Sequence, residues 1–129
     1  MAFAQEAVKR MFEDSGKTPL AEGGEKKGTI IFTGTLGAMR TNTNFAAYGA
    51  SRSGARSLAQ ALAKEYSPAG IHVVHTIMNG AIKDEDGEAQ KTGKSMSAEE
   101  VGQNYLWLAN QGPSLWTHEL DMRPPQEKF

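Results

Sequence analysis

Three residues near the middle of the chain have the types and spacing of a proton-transfer group. Tyr48 precedes Arg52 by four positions in a stretch that favours helix, so both side chains would lie on one face. A guanidinium beside a phenol favours the phenolate, so Tyr48 could exchange a proton with a carbonyl oxygen. The Thr35 hydroxyl would supply a second hydrogen bond. The same spacing also fits a half-buried tyrosine beside a surface arginine, so both interpretations remain open.

The elements that would position these residues are two buried strands and a long helix. Residues 29–32 and 71–78 are mostly apolar runs without polar alternation, a pattern typical of strands covered on both faces. Residues 45–66 lack proline and are rich in alanine, which predicts a helix. Residues 33–44 would form the loop before it, with Asn42 or Asn44 as the helix N-cap.

The remaining stretches complete an alternating pattern within a single domain over residues 1–129. We expect an amphipathic helix over 1–13, a polar mobile loop over 83–97 and a capped helix with a strand and tail over 98–129. The loop contains a short acidic run, residues 84–88, with no calcium-loop spacing. The alternation of helices and strands predicts an α/β fold with about three parallel strands and three helices.

Composition excludes several classes of function. The 129 residues carry a net charge of -1, without the clustered basic field that nucleic acids or anionic membranes attract. Cysteine is absent, which removes disulfides and thiolate chemistry and fits a cytoplasmic location. No apolar run approaches the length of a membrane helix. The histidines do not have metal-ligand spacing, so we predict no metal site.

Several motifs in order resemble the catalytic half of short-chain dehydrogenases/reductases. They are Thr33-Gly34, Thr35, Tyr48, Arg52, the small-residue helix and the stretch GIHVVHTIMNGAI. The ending WTHELDMRPPQEKF is similar to the tail of an uncharacterised branch of that family. The resemblance implies a truncated Rossmann-like fold, with Tyr48, Arg52 and Thr35 as catalytic residues acting on a small-molecule substrate. Ile82 matches, weakly, the segment whose backbone touches the nicotinamide in that family.

Three departures from the family pattern affect the expected chemistry. The Gly-rich turn of a dinucleotide site is not seen, and the family's catalytic asparagine would precede residue 1. We therefore expect the N-terminal, dinucleotide-binding half to be missing. Arg52 replaces the family's lysine and would not copy its ribose contacts, while Thr35 replaces a serine and keeps the hydroxyl. No cofactor is expected for the isolated chain, and NAD(P) would bind only if a partner supplies the missing half.

These observations support three hypotheses about function. The first is a cofactor-independent enzyme, an isomerase, dehydratase or cyclase, that acts on a carbonyl compound through Tyr48. The second is a fragment or subunit of an NAD(P)-dependent oxidoreductase. The third is a non-catalytic dimeric interaction protein. Under all three we expect a homodimer, because the strand at 29–32 would be an exposed edge and the predicted long helix carries a small-residue stripe (Gly49, Ser53, Ser57 and Ala61).

Overall fold

The computed structural model describes residues 1–84 and 87–128 as an α/β fold. The helices are α1 (Ala2–Ser15), α2 (Ala46–Tyr66), α3 (Glu88–Lys91) and α4 (Ala98–Ala109). The strands are β1 (Gly28–Thr35), β2 (Ile71–Met78), β3 (Ile82–Lys83), β4 (Met96–Ser97) and β5 (Glu119–Met122). Short 3-10 turns at Leu20–Glu22 and Leu36–Ala38 complete the regular structure of the described residues. No helix in these ranges is long and apolar enough to cross a membrane.

A three-stranded parallel sheet in the order β1-β2-β5 forms the centre of the fold. The strand predicted to end at residue 32 continues to Thr35, so the prediction that residues 33–35 are loop is wrong. The reason is the neighbouring strand, since the ladder with β2 continues to the pair Thr35 and Met78. β2 is buried along its whole length, as its continuous apolar pattern predicted.

The main hydrophobic core lies between one face of the sheet and helices α1 and α2. Ala4 and Val8 of α1 and Ala59 and Leu62 of α2 pack against Ile30, Ile71 and Val73 of the strands. At the rim of this core the rings of Phe12 and Tyr66 are 6.2 Å apart. Part of the apolar face predicted for the first helix, at Ala4 and Val8, is thus buried in this core, whereas Phe3 is 79% exposed.

The start of α2 differs from the prediction. The N-cap position belongs to Phe45, and no side-chain hydrogen bond caps the helix there. Asn44 has a positive φ of 68°, a left-handed conformation that asparagine tolerates better than most residues. The prediction that Asn42 or Asn44 caps the helix through its side chain is therefore wrong. Asn44 instead turns the backbone into the helix.

The segment predicted to be a loop contains regular structure. β3 pairs in parallel with β4, and the one-turn helix α3 lies between them in the chain. The prediction of a loop therefore missed these elements, because they are too short to give a periodic sequence pattern. Within the acidic run, Glu85 and Asp86 lie outside the described residues. At the start of α4, the Ser97 hydroxyl accepts the Glu100 backbone N–H, as the predicted cap requires.

The last strand is shorter than the predicted strand at residues 115–122. Before β5, the side-chain amide of Gln111 accepts the backbone N–H of Thr117 and donates to the Thr117 hydroxyl. These two bonds, both 2.8 Å, hold residue 117 against the end of α4 rather than in the ladder. The alternating pattern alone did not reveal this competing contact.

A charged network joins β5 to α2 and β2. The Arg56 guanidinium donates two hydrogen bonds to the Glu119 carboxylate, at 2.7 and 2.9 Å. The same carboxylate lies 3.1 Å from the ring Nδ1 of buried His75. The Arg56 hydrogen bonds, and more weakly the contact with His75, hold the pKa of Glu119 below its usual range. The network therefore fastens the short edge strand to the helix above it.

We predict that Glu119→Gln lowers the free energy of unfolding at neutral pH by about 1–2 kcal/mol, because a bidentate charged pair is lost. The folded-state pKa of Glu119 is lowered, so its contribution is complete above the unfolded carboxyl pKa of about 4.3. It is lost as the pH falls through the lower folded value. Urea unfolding of both proteins across this pH range measures the effect.

The matched control is Asp14→Asn. Asp14 pairs with Arg10 on the surface of α1, where the two side chains are 59% and 75% exposed. Exposed pairs of this kind contribute little to stability, so the control variant should unfold like the parent. Equal unfolding free energies for Glu119→Gln and the parent would contradict a stabilising role for the network.

Candidate active site

Thr35 and Tyr48 meet at the carboxyl end of β1. The Thr35 Oγ1 and the Tyr48 hydroxyl oxygen are 2.7 Å apart, and either can donate the hydrogen bond. Thr35 Oγ1 also accepts the backbone N–H of Gly37 at 3.2 Å, which orients the hydroxyl. β1 positions one partner and the first turn of α2 positions the other. Two hydroxyl groups therefore form a fixed hydrogen-bonded pair.

Two glycines allow this close arrangement. A Cβ atom on Gly37 would lie 2.7 Å from Cε1 of Tyr48 and 3.3 Å from Thr35 Oγ1. A Cβ on Gly49 would lie 1.8 Å from Oγ1 of Thr41, in the loop that precedes α2. The distances of 2.7 Å to Tyr48 and 1.8 Å to Thr41 are shorter than non-bonded contacts permit, so a side chain at either glycine would displace the tyrosine or the loop. At Gly49, the small residue of the predicted stripe therefore allows Thr41 of the preceding loop to pack closely against α2.

Arg52 lies over the face of the Tyr48 ring. Its guanidinium carbon is 5.1 Å from the ring centroid, which is a cation–π distance. Phe45 also makes an edge contact with this ring, with centroids 6.3 Å apart. Tyr48 is 42% exposed. Arg52 and Phe45 thus both contact the ring, while the hydroxyl group bonds to Thr35.

Of the three predicted catalytic residues, Thr35 and Arg52 each contact Tyr48, but at different parts of its side chain. The hydrogen-bond partner of the Tyr48 hydroxyl is Thr35, while Arg52 contacts the ring. Sequence spacing correctly placed Tyr48 and Arg52 on one helix face. It did not show which part of Tyr48 the guanidinium approaches, because that depends on side-chain rotation.

A cavity of about 340 Å³ opens beside the hydroxyl pair. Its position follows from the sheet, because Thr35 and Met78 are the last residues of two adjacent parallel strands, where ligands of α/β proteins bind. The lining residues are Thr35, Leu36, Gly37, Arg40, Thr41, Asn42, Phe45, Tyr48, Gly49 and Met78. Of these ten, Thr35 and Tyr48 had been predicted to be catalytic, and the other eight had no predicted catalytic role. The loop and the end of β2 converge only in the folded chain.

Ile82 does not line this cavity. It lies in β3, is 44% exposed and pairs with Met96. The structure thus does not bring this weak cofactor-contact candidate to the hydroxyl pair.

A second tyrosine-threonine group occurs outside the cavity. The Tyr105 hydroxyl of α4 is 2.7 Å from the Thr33 hydroxyl and 2.9 Å from the Thr76 hydroxyl. These bonds fasten α4 to adjacent residues of β1 and β2. Sequence analysis did not find the group, because the three residues are far apart in the chain. Like the Thr35–Tyr48 pair, this group joins a tyrosine hydroxyl to threonine hydroxyls, but Tyr105 does not line the cavity.

The histidines have structural contacts. His72 is buried, stacks on Trp116 with centroids 5.0 Å apart, and its Nε2 lies 2.7 Å from the carbonyl oxygen of Thr117. Burial lowers the pKa of His72. Over residues 1–84 and 87–128, no group of three histidine or acidic side chains has a metal-binding arrangement.

Comparisons with known proteins were made by family model and by fold. The short chain dehydrogenase family model matches residues 6–94. A short-chain dehydrogenase from Rhodopseudomonas palustris is 32% identical, with a TM-score of 0.58, over 74% of this chain and 38% of that one. Acetoin dehydrogenase from Salmonella typhimurium is 18% identical, with a TM-score of 0.69, and the match covers 97% of this chain and 53% of that one. The closed form of serine dehydrogenase complexed with NADP+ is 18% identical, with a TM-score of 0.62, and the match covers 78% of this chain and 46% of that one.

No significant match was found among curated protein sequences. The chain spans between 38% and 53% of the length of these solved structures. The two structures below 25% identity share its α/β architecture, and the family model extends over more than half of the 129 residues. The chain belongs to the short-chain dehydrogenase family.

Proposed function

We propose that this chain acts on a small carbonyl compound by proton transfer centred on Tyr48. The observation that supports this most directly is the 2.7 Å hydrogen bond between the Tyr48 and Thr35 hydroxyls at the edge of a cavity. Two hydroxyl groups in this arrangement can both donate to one carbonyl oxygen. The Arg52 guanidinium, 5.1 Å from the ring centroid, holds the Tyr48 ring in place through a cation–π contact.

The proposed reaction begins with a carbonyl oxygen replacing the mutual hydrogen bond of the two hydroxyls. Tyr48 donates its proton to that oxygen, while a proton leaves the adjacent carbon for solvent water, and an enol forms. The enol O–H proton then returns to Tyr48 as solvent protonates another conjugated carbon, which gives an isomer. If the enol instead carries a neighbouring hydroxyl, that group leaves as water with a proton from solvent while the enol proton returns to Tyr48, which gives a dehydrated product. Thr35 holds the oxygen in place throughout. This chemistry requires acid–base groups and no hydride donor.

The size of the site supports chemistry without a nicotinamide cofactor. A cavity of about 340 Å³ is at the small end of sites that enclose a drug-sized molecule, and a dinucleotide is larger. Arg52, at the position that corresponds to the family's lysine, is placed over the Tyr48 ring. The described residues therefore do not provide an enclosure for a whole dinucleotide. We propose that substrate, rather than cofactor, occupies this cavity.

We predict that Tyr48→Phe slows turnover by at least about a hundredfold, because the proton donor is removed while the ring and its contacts remain. The measurement is the exchange of protons next to the carbonyl of small ketones and oxo acids with deuterium oxide, followed by proton NMR.

The matched control is Tyr105→Phe. This substitution also removes a tyrosine hydroxyl bonded to threonine, but outside the cavity, so exchange should continue at the parent rate. Equal rates for Tyr48→Phe and the parent would refute the proposed role of Tyr48. Circular dichroism of both variants checks that the fold is retained.

A second candidate function is a portion of an NAD(P)-dependent oxidoreductase. Members of the family are NAD(P)-dependent dehydrogenases, and the chain spans about half the length of its solved relatives. In this case the present chain would be the catalytic half, and further polypeptide would supply the dinucleotide site. Tyr48 would then protonate or deprotonate the oxygen of the substrate in a redox reaction.

Cofactor titration separates the two candidates. We predict that isothermal titration of the isolated chain with NADP+ or NADPH gives no saturable heat, because the cavity does not accommodate a dinucleotide. Saturable binding would contradict the first candidate and favour the second. Before the titration, circular dichroism checks that the isolated chain is folded.

We also propose that the chain forms a homodimer. In the described residues β1 pairs with β2 alone, so its outer edge has free backbone groups, which favour pairing with another strand. Three members of the small-residue stripe of α2, namely Ser53, Ser57 and Ala61, are exposed. Large apolar side chains are also exposed, including Phe3 at 79% and Leu115 at 69%.

Sedimentation velocity tests this proposal. The expected result at micromolar concentration is a species with twice the mass of the 13.9 kDa chain. Dimerisation buries surface that a chain this small cannot cover alone. A well-folded monomer at the same concentration would be evidence against self-association.

A further inference from the structure

Arg40 contributes a positive charge to the wall of the Tyr48 cavity. It follows the 3-10 turn Leu36–Ala38, where its backbone N–H donates to the Leu36 carbonyl oxygen at 3.2 Å. The side chain lines the cavity and the residue is exposed. Within residues 1–84 and 87–128, the ion pairs of the structure do not include Arg40. Its guanidinium is therefore available to a bound molecule.

The chain around the cavity has an unusual distribution of charge. Residues 26–64 contain six lysines and arginines and no aspartate or glutamate, although the whole chain has a net charge of -1. Lys26 and Lys27 donate to backbone carbonyl oxygens, and Arg56 is neutralised by Glu119. The residues that line the cavity include Arg40 and no aspartate or glutamate, and Arg52 lies over the Tyr48 ring. This charge balance favours an anionic ligand.

The other cavity walls indicate the rest of that ligand. Leu36, Phe45 and Met78 provide apolar surface, and the hydroxyl pair provides the polar end. The volume of about 340 Å³ favours a small molecule. A compound with a carbonyl group, a short hydrocarbon portion and one anionic group matches these three kinds of surface.

We propose that the cavity selects small carbonyl compounds that bear a carboxylate, with Arg40 pairing with the carboxylate. This inference rests on the proposed function, because it places the reacting carbonyl at Thr35 and Tyr48. A planar guanidinium matches the two oxygens of a carboxylate. A carboxylate, with one negative charge, is also better balanced by the single charge of Arg40 than a phosphate group with nearly two.

The test compares matched ligands by direct binding. Saturation-transfer NMR and calorimetry are carried out with linear oxo acids of about three to eight carbons, a range suited to the cavity, and with their methyl esters. The esters keep the carbonyl and the shape but lack the charge. The proteins are the parent, Arg40→Gln, Arg40→Lys, Tyr48→Phe and the control Arg10→Gln, which removes an exposed cation of α1.

The expected result is that at least one acid binds the parent about tenfold more tightly than its ester, a typical effect of one partly exposed charged hydrogen bond. Arg40→Gln should remove this preference, Arg40→Lys should retain part of it, and Arg10→Gln should retain all of it. Added salt should weaken acid binding but not ester binding. The proposal is overturned if esters bind as tightly as acids, if Arg40→Gln leaves the ratio unchanged, or if the parent binds none of the acids.

Tyr48→Phe separates this inference from the proposed reaction. Binding does not require proton transfer, so Tyr48→Phe should keep the preference for acids. If Tyr48→Phe exchanges protons as fast as the parent while Arg40→Gln loses the acid preference, the proposed reaction fails and the carboxylate site stands. If Tyr48→Phe blocks exchange while esters and acids bind equally, the reaction stands and the carboxylate site fails. Inorganic phosphate that displaces the acids at equal concentration would overturn the choice of carboxylate.

Discussion

The parallel ladder between β1 and β2 is the constraint on which the rest of this structure depends. It continues through the pair Thr35 and Met78, and so it places two cavity residues side by side at one edge of the sheet. The chain then turns through a short 3-10 segment and enters α2, which returns Tyr48 to the end of the same strand. If β1 ended earlier, the Thr35 hydroxyl would not have a fixed position. The backbone hydrogen bonds of the sheet therefore define the geometry of the site.

Two polar networks support this ladder from opposite faces of the sheet. On one face Glu119 joins Arg56 of α2 to His75 of β2. On the other face Tyr105 of α4 bonds to threonines of β1 and β2. Both networks connect the strands to a covering helix with directional contacts, in addition to the non-directional apolar core. The Glu119 network thereby holds α2, the helix that carries Tyr48, in register with the strand ends, and a hydroxyl pair separated by 2.7 Å needs that register.

The site combines features that are retained from its family with features that differ from it. In the proposed reaction Tyr48 and the Thr35 hydroxyl form the proton-transfer group, and Arg52 lies where the resemblance to the family implies a lysine. The guanidinium lies over the ring, whereas the Tyr48 hydroxyl bonds to Thr35. This placement, the small cavity and the positive charge of Arg40 are the physical basis for the proposed substrate and its carboxylate.

The sequence by itself determined the α/β class, the positions of β2, α1 and α2, and the shared face of Tyr48 and Arg52, because these follow from local periodicity and from spacing along one helix. The extension of β1 to Thr35 was decided by pairing with a strand distant in the chain. The short β5 was decided by Gln111 bonding to Thr117, and the turn before α2 by the left-handed Asn44. Only the tertiary structure brought Arg40 and Met78 to the Thr35–Tyr48 pair. Contacts between residues far apart in sequence leave no periodic signal, so the cavity and its charge were visible only after the chain was folded.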